Sequence, residues 1–229
     1  MKILLSWSSG KDSAWALHVL RQDPGLRVAA LLTTFNERFD RVAMHAVRRT
    51  LVEAQAESAG VPLWPVWIPS PCPNEVYEER MREATSRAQA EGFTHAAFGD
   101  LFLEDVRRYR EERLSGTGID PVFPLWNKPT GPLSQEMLSA GLGAVLTSVD
   151  PKQLDRRFAG RTYDTVLLSE LPPSVDPCGE RGEFHTFCFA GPMFRKPIPI
   201  ETGEVVDRDG FVFADVIARS AGLEPAKAG

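Results

Sequence analysis

Alternation is the feature that most narrows the fold. Short apolar runs at 3–5, 28–32, 63–68, 95–98 and 121–126 are separated by segments with helical spacing. Strand–helix alternation of this kind builds βαβ units. Right-handed crossovers then place the strands in one parallel sheet with helices on both faces. The expected fold is α/β, a Rossmann-like three-layer sandwich. The run 28–32 is apolar throughout, as a strand buried on both faces must be. Pro65 puts the strand at 63–68 near the sheet edge. One helix follows the first strand. A second is expected to start from Asp40 as cap, with Val42, Ala46, Val47, Leu51 and Ala54 on one face. Asn74 would cap a third, and a charged fourth covers 104–114.

The texture changes after Lys128-Pro129-Thr130-Gly131-Pro132. A short helix is expected from about 134 to 140, a strand at 143–149, and a β-like stretch at GEFHTFCF. The chain therefore divides into 1–128 and 129–229, the second being a smaller α+β subdomain. The tail LEPAKAG is expected to fray.

Net charge is −5, from 26 basic and 31 acidic residues. A protein that coats nucleic acid needs a basic face, so that class is disfavoured. No apolar run approaches the roughly 20 residues of a membrane span, and the first residues do not resemble a signal peptide. Cys72, Cys178 and Cys188 form no CxxC, which fits a reducing cytoplasm. The spacing C-x6-H-x2-C over Cys178, His185 and Cys188 lacks a fourth ligand and matches structural zinc sites poorly. Oligomeric state is open, a homodimer included.

Ser8-Ser9-Gly10-Lys11-Asp12-Ser13 stands between the first strand and the first helix. A helix N-terminus there offers unpaired N–H groups and partial positive charge to an anion, and small residues let the backbone approach it. The hydroxyls and Lys11 add donors, so the pieces suit a phosphate cradle. A serine-capped helix with solvated Lys11 and Asp12 is the plainer alternative. It is not a Walker A loop, because Leu5 and Asp12 occupy positions that need glycine and Ser/Thr.

SSGKDS after a strand resembles the PP-loop, SGGxDS, of ATP pyrophosphatases that release AMP, with Ser9 in place of the first glycine. Further blocks are the HAVRRTLVEAQAESAGVPL stretch, Gly99 to Asp105 with Arg107 and Arg110, and Asp176-Pro177-Cys178-Gly179-Glu180-Arg181-Gly182-Glu183-Phe184-His185-Thr186. Together they resemble the diphthine–ammonia ligase-like family of PP-loop ATP pyrophosphatases, from Met1 to about Phe194. The resemblance implies a cytoplasmic ATP-dependent amide ligase with a PP-loop ATP-binding domain followed by a substrate-binding subdomain. ATP activates a carboxylate as an acyl-adenylate, pyrophosphate leaves, and ammonia displaces AMP. The family's known substrate is diphthine on translation elongation factor 2. This chain has His185 where the diphthamide-forming members carry a glutamate, so the resemblance carries the chemistry further than the substrate. The acceptor is left as a carboxylate on a small molecule or protein.

Under this reading Ser8, Ser9, Gly10, Lys11 and Ser13 hold phosphates. Asp12 beside them needs a cation, and Mg²⁺ would supply it. Thr33 and Thr34 end the second strand, near adenine or ribose, unless they merely end a strand. Gly99 permits close approach, and Asp100 would meet ribose or the metal. Arg110 would stabilise charge on the α-phosphate; a solvated face with i,i+4 pairs is the plainer reading of that helix. Glu180 and Glu183 would bind ammonium, hold a metal or move a proton. His185 would orient a carboxylate or accept a proton. His18 and His45 read as surface or packing residues on helices. The rivals are a nucleotide-binding sensor without catalysis, and a PP-loop enzyme that adenylates a nucleic-acid base.

Overall fold

Successive side chains of a strand face opposite sides, and the first strand shows what each side meets. In β1 (Lys2–Ser6), Ile3 and Leu5 join an apolar cluster with Ala14 and Leu17 of α1 (Lys11–Leu20) and Leu51 and Val52 of α2 (Arg49–Ala59). Leu4 joins a different cluster, with Ala84 and Ala88 of α3 (Asn74–Ala90) and Leu114 of α4 (Glu104–Leu114). The computed structural model describes residues 1–43 and 45–219. The tail expected to fray lies outside them.

The first sheet adds β2 (Arg27–Asn36), β3 (Arg41–Val42), β4 (Leu63–Ile68), β5 (His95–Ala97) and β6 (Asp120–Val122). Its parallel strands run in the order β4, β2, β1, β5, β6, and β3 pairs antiparallel with the end of β2. The fold is mixed α/β with a largely parallel, Rossmann-like sheet. β4 pairs only with β2, the edge position that Pro65 requires. The chain leaves β1 toward β2 on one side and returns to β5 on the other. Such a reversal opens a crevice at the carboxyl ends of the two strands, where open α/β sheets bind ligands.

Asp40 is not a helix cap. It lies in a turn at φ 51°, and α2 begins only at Arg49. The amide of Val42 bonds to the Val47 carbonyl and that of Ala43 to Thr34. Val42 and Val47 are thus buried by a tight loop rather than by a helix face. β6 stops at Val122, before Pro124, which has no N–H for a ladder. α5 (Thr130–Ser139) starts earlier than expected, with Pro132 in its first turn, where a missing N–H costs nothing.

The second sheet is antiparallel. β7 (Gly143–Val149) is central and pairs with β8 (Thr162–Tyr163), β9 (Phe184–Ala190) and β11 (Phe211–Ala218). β10 (Ile200–Arg208) pairs with β11. Sequence reading missed this hairpin, β8, and α6 (Thr165–Glu170). The hairpin signal was there. Asp209-Gly210 both have positive φ, as a tight two-residue turn requires. The apolar cluster on the α1/α2 face continues without a break into this second sheet through Val145, Phe187 and Cys188.

Candidate active site

The loop between β1 and α1 is shaped by one buried amide. Trp7 donates its indole N–H to Gln55 Oε1 at 2.9 Å. Gln55 Nε2 donates to the carbonyls of Ser9 (2.9 Å) and Cys188 (2.6 Å). The Cys188 amide also donates to the Ser9 carbonyl, and the Lys11 amide to Thr186 Oγ1 at 3.1 Å. α2 and β9 therefore clamp the loop from either side. Ser9 is at φ 69°, and its buried hydroxyl has no hydrogen-bond partner among the described residues. A non-glycine residue in the left-handed region costs roughly 1–2 kcal/mol, and an unsatisfied hydroxyl adds to that. Ser9→Gly should therefore stabilise the protein by about 1 kcal/mol, read as a rise in the urea midpoint at constant m-value.

Loop, helix start and β5 edge enclose a cavity of about 200 Å³. Ser8, Gly10, Lys11, Asp12 and Ser13 line one side, Gly99, Asp100 and Arg110 another, and Glu180 and His185 a third. It opens into a larger, more apolar cavity of about 550 Å³ that shares Ser8, His45, Phe98 and Arg110 and reaches Thr34 and Tyr77. Gly99 is required here for packing. A Cβ on it would lie 3.0 Å from the carbonyl carbon of Asp12 and from Ser13 N. The first turn of α1 thus sits directly on the end of β5.

Charges in the cavity are largely paired. Lys11 is 1% exposed, and its ammonium donates to both carboxylate oxygens of Asp12 (3.0 and 2.8 Å) and to the Cys178 carbonyl. Burial works to lower the Lys11 pKa, but the charge and hydrogen bonds of Asp12 leave it raised, so the lysine stays protonated. Arg110 makes a two-point contact to Asp100, at 2.5 and 3.1 Å, and lies over the Phe98 ring. Glu180 Oε1 accepts from the Leu101 amide at 2.7 Å. Burial pushes its carboxyl up to about 7, against that hydrogen bond. The His45 and His185 rings pack in a tilted arrangement, with centroids 4.4 Å apart and planes inclined at 41°. Burial, and then neighbouring positive charge, hold both neutral; His185 is pushed down to about 4, and His45 lies well below the usual range.

The profile described as "Diphthamide synthase N-terminal domain" matches residues 1–118, and that described as "Diphthamide synthase C-terminal domain" matches 130–216. The chain belongs to the diphthamide synthase family. It is 27% identical over 244 residues to the protein named "Diphthine--ammonia ligase" of Bos taurus, across 94% of this chain and 89% of that one. Against the Homo sapiens protein of that name it is 26% identical with the same coverage. Against that of Schizosaccharomyces pombe it is 27% identical over 90% of this chain but 37% of the longer relative. These are PP-loop ATPase relatives, as the SSGKDS block implied.

In this diphthamide synthase family member, four expected site residues stand apart from the cavity lining. Ser9 turns its side chain into the core. Thr33 is buried, and its hydroxyl donates to the Trp7 carbonyl at 2.8 Å. Thr34 reaches only the larger cavity. Glu183 is 1% exposed, accepting from the amides of Asp176 (2.8 Å) and Arg181 (2.9 Å), so it braces the turn that aims Glu180. Lys11 lines the cavity but gives its ammonium to Asp12 and Cys178, not to open space.

Three residues were missed. His45 reads from sequence as a surface or packing residue on the second helix, yet it precedes α2 and lines both cavities. Gln55 was unremarked, although a glutamine among apolar helix positions is a readable anomaly. Thr186 closes the Asp176 to Thr186 block but carried no assigned role, because only the docking of β9 brings it to Lys11. Among the described residues, no group of three or more His, Cys, Asp or Glu is placed to hold a metal, and no helix is long and apolar enough to cross a membrane.

Proposed function

We propose that this chain is an ATP-dependent ligase that activates a carboxylate as an acyl-adenylate for attack by ammonia, releasing AMP and pyrophosphate. The observation that carries it is the gathering of Ser8, Gly10, Ser13, Arg110 and Glu180 around one cavity at the switch point of the parallel sheet. The unit 1–128, a three-layer sandwich, binds ATP, and 129–229 supplies the acceptor side. Phosphates lie against the first-turn amides of α1 and the hydroxyls of Ser8 and Ser13. Adenine and ribose take the larger cavity beside Thr34. Asp12 and Asp100 would hold Mg²⁺ brought by the nucleotide, which would neutralise phosphate charge, a use of one or two carboxylates that needs no protein cage.

The acceptor carboxylate oxygen attacks the α-phosphorus, and the bond to the β-phosphate oxygen breaks. Arg110 offsets charge on the α-phosphate. Ammonia nitrogen then attacks the acyl carbon, the bond to AMP breaks, and Glu180 takes the proton that nitrogen loses. The family relatives named diphthine–ammonia ligases support this chemistry. His185, a neutral imidazole, leaves the identity of the carboxylate to experiment. The protein is proposed to be cytoplasmic, with a homodimer open to test.

Pure protein is incubated with ATP, Mg²⁺, ammonium and fractionated cell extract, and nucleotide products are separated. AMP and pyrophosphate, dependent on one fraction, are expected. ADP and phosphate would overturn the ligase reading, and tight ATP binding with no turnover in any fraction would favour the sensor.

A further inference from the structure

The loop that carries His45 is held from far away in the sequence. Asp215, on β11, receives Arg41 Nη1 at 2.8 Å and a two-point contact from Arg48, at 2.6 and 3.1 Å. Burial opposes ionisation of Asp215, but the two arginines draw its carboxyl down to about 2. Arg41 also donates to the Ala46 carbonyl at 2.7 Å. Ala46 is at φ 56°, a strained position for a residue with a Cβ. Phe213 of the same strand lines the crevice behind Arg41, Val42 and Ala46. The strained turn therefore has its entrance and exit tied to one carboxylate of the C-terminal hairpin. Its tip presents His45 against His185, with Nδ1 buried and without a hydrogen-bond partner among the described residues.

A buried, unpaired ring nitrogen costs stability. It persists at the mouth between the two cavities, where a bound molecule would satisfy it. We propose that Asp215 is a positioning residue for the reaction centre: through Arg41 and Arg48 it holds the strained turn closed, so that His45 lies on His185 with its free Nδ1 available to whatever occupies the cavity. This deepens the ligase reading by adding His45 to its site and Asp215 to the support of that site. The charged and titratable groups lining the same cavity are Lys11 and Asp12 from α1, Asp100 after β5, Arg110 from α4, and Glu180 ahead of β9. None of them belongs to the turn; backbone bonds such as Val42 to Val47 and Ala43 to Thr34 shape it, and the clamp ties that shape to β11.

The test uses the whole protein labelled with ¹⁵N-histidine, without nucleotide. The four histidines are His18, His45, His95 and His185, and the first and third serve as internal controls. In the wild type burial should hold His185 down to about 4 and His45 well below its usual range. In Asp215→Ala, the opened turn should bring both up by about 1–2 pH units toward the ordinary value near 6.5, with His18 and His95 unmoved. Asp215→Glu should restore part of the wild-type pattern. If Asp215→Ala does not fold, the pair Arg41→Gln with Arg48→Gln breaks the clamp from the other side and should give the same spectra. Unchanged His45 and His185 signals in a folded clamp variant would overturn the proposal. Where AMP formation is measurable, kcat should fall about tenfold with KM for ATP within about twofold; an unchanged kcat would also overturn it. The spectra need no acceptor, so their outcome is independent of whether the ligase reading survives.

Discussion

Glu180→Gln is expected to slow AMP formation by about 10²–10³-fold while ATP affinity stays within about threefold. The range is that of a lost general base. Glu180 has the two properties this role needs. It opens on the cavity, and burial brings its carboxyl up to about 7, so near neutral pH it can both take and release a proton. The wild-type rate should rise with pH through about 7, as the carboxylate forms, and that limb should vanish in the variant. The substitution preserves the acceptor for the Leu101 amide, so the local turn is retained.

Stability should respond in the opposite sense. A carboxyl raised in the folded state binds its proton more tightly there than when unfolded. Its contribution is fully present below the unfolded value near 4.5 and is lost as pH rises through about 7. Glu180→Gln removes that loss, so its denaturation midpoint should gain on the wild type between pH 5 and 8. A variant with a full rate and an intact pH limb would remove Glu180 from the mechanism. Glu183 would not take its place, since it is bound to two amides.

The largest stability effect is expected at Gln55. Gln55→Leu keeps the volume but strands the Trp7 indole N–H and removes a donor from the Ser9 and Cys188 carbonyls. Each buried group left unsatisfied costs about 1–3 kcal/mol. The sum is about 3–5 kcal/mol, which for a chain of this size lowers Tm by about 10 °C. Calorimetry measures it directly. Because Gln55 holds the Ser9 carbonyl, ATP binding should also weaken by at least about tenfold at a temperature where the variant is folded. A large loss of Tm with ATP affinity unchanged would mean that the loop keeps its shape without this amide. Asp12→Asn is a poorer probe of catalysis, because it also leaves the buried Lys11 without its counter-ion.

The placement of many expected site residues around one cavity was legible from local rules. SSGKDS falls at the end of β1 as its small residues require, and Gly99, Asp100 and Arg110 fall at the end of β5 and on α4. These signals are short-range, because strand periodicity and helix starts are written in neighbouring residues. The places where side chains lie elsewhere than expected share one cause. Glu183 looks catalytic beside Glu180 in sequence, but a tight glycine turn points one carboxylate at the cavity and the other at backbone amides. Val42 and Val47 mimic a helix face, and a loop buries them equally well.

From sequence alone came the α/β class, the alternation of parallel strands with helices, the small-residue turn between the first strand and helix, and the family resemblance, each resting on patterns within about 20 residues. Tertiary structure alone decided which side chains meet. Thr186 reaches the Lys11 amide from 175 positions away, and Asp215 reaches Arg41 from 174. The docking of an antiparallel sheet onto the PP-loop turned Lys11 to Asp12, gave His45 its place over His185 and raised the Glu180 carboxyl. Desolvation and long-range pairing depend on what the folded chain brings together in space, and no local pattern encodes them.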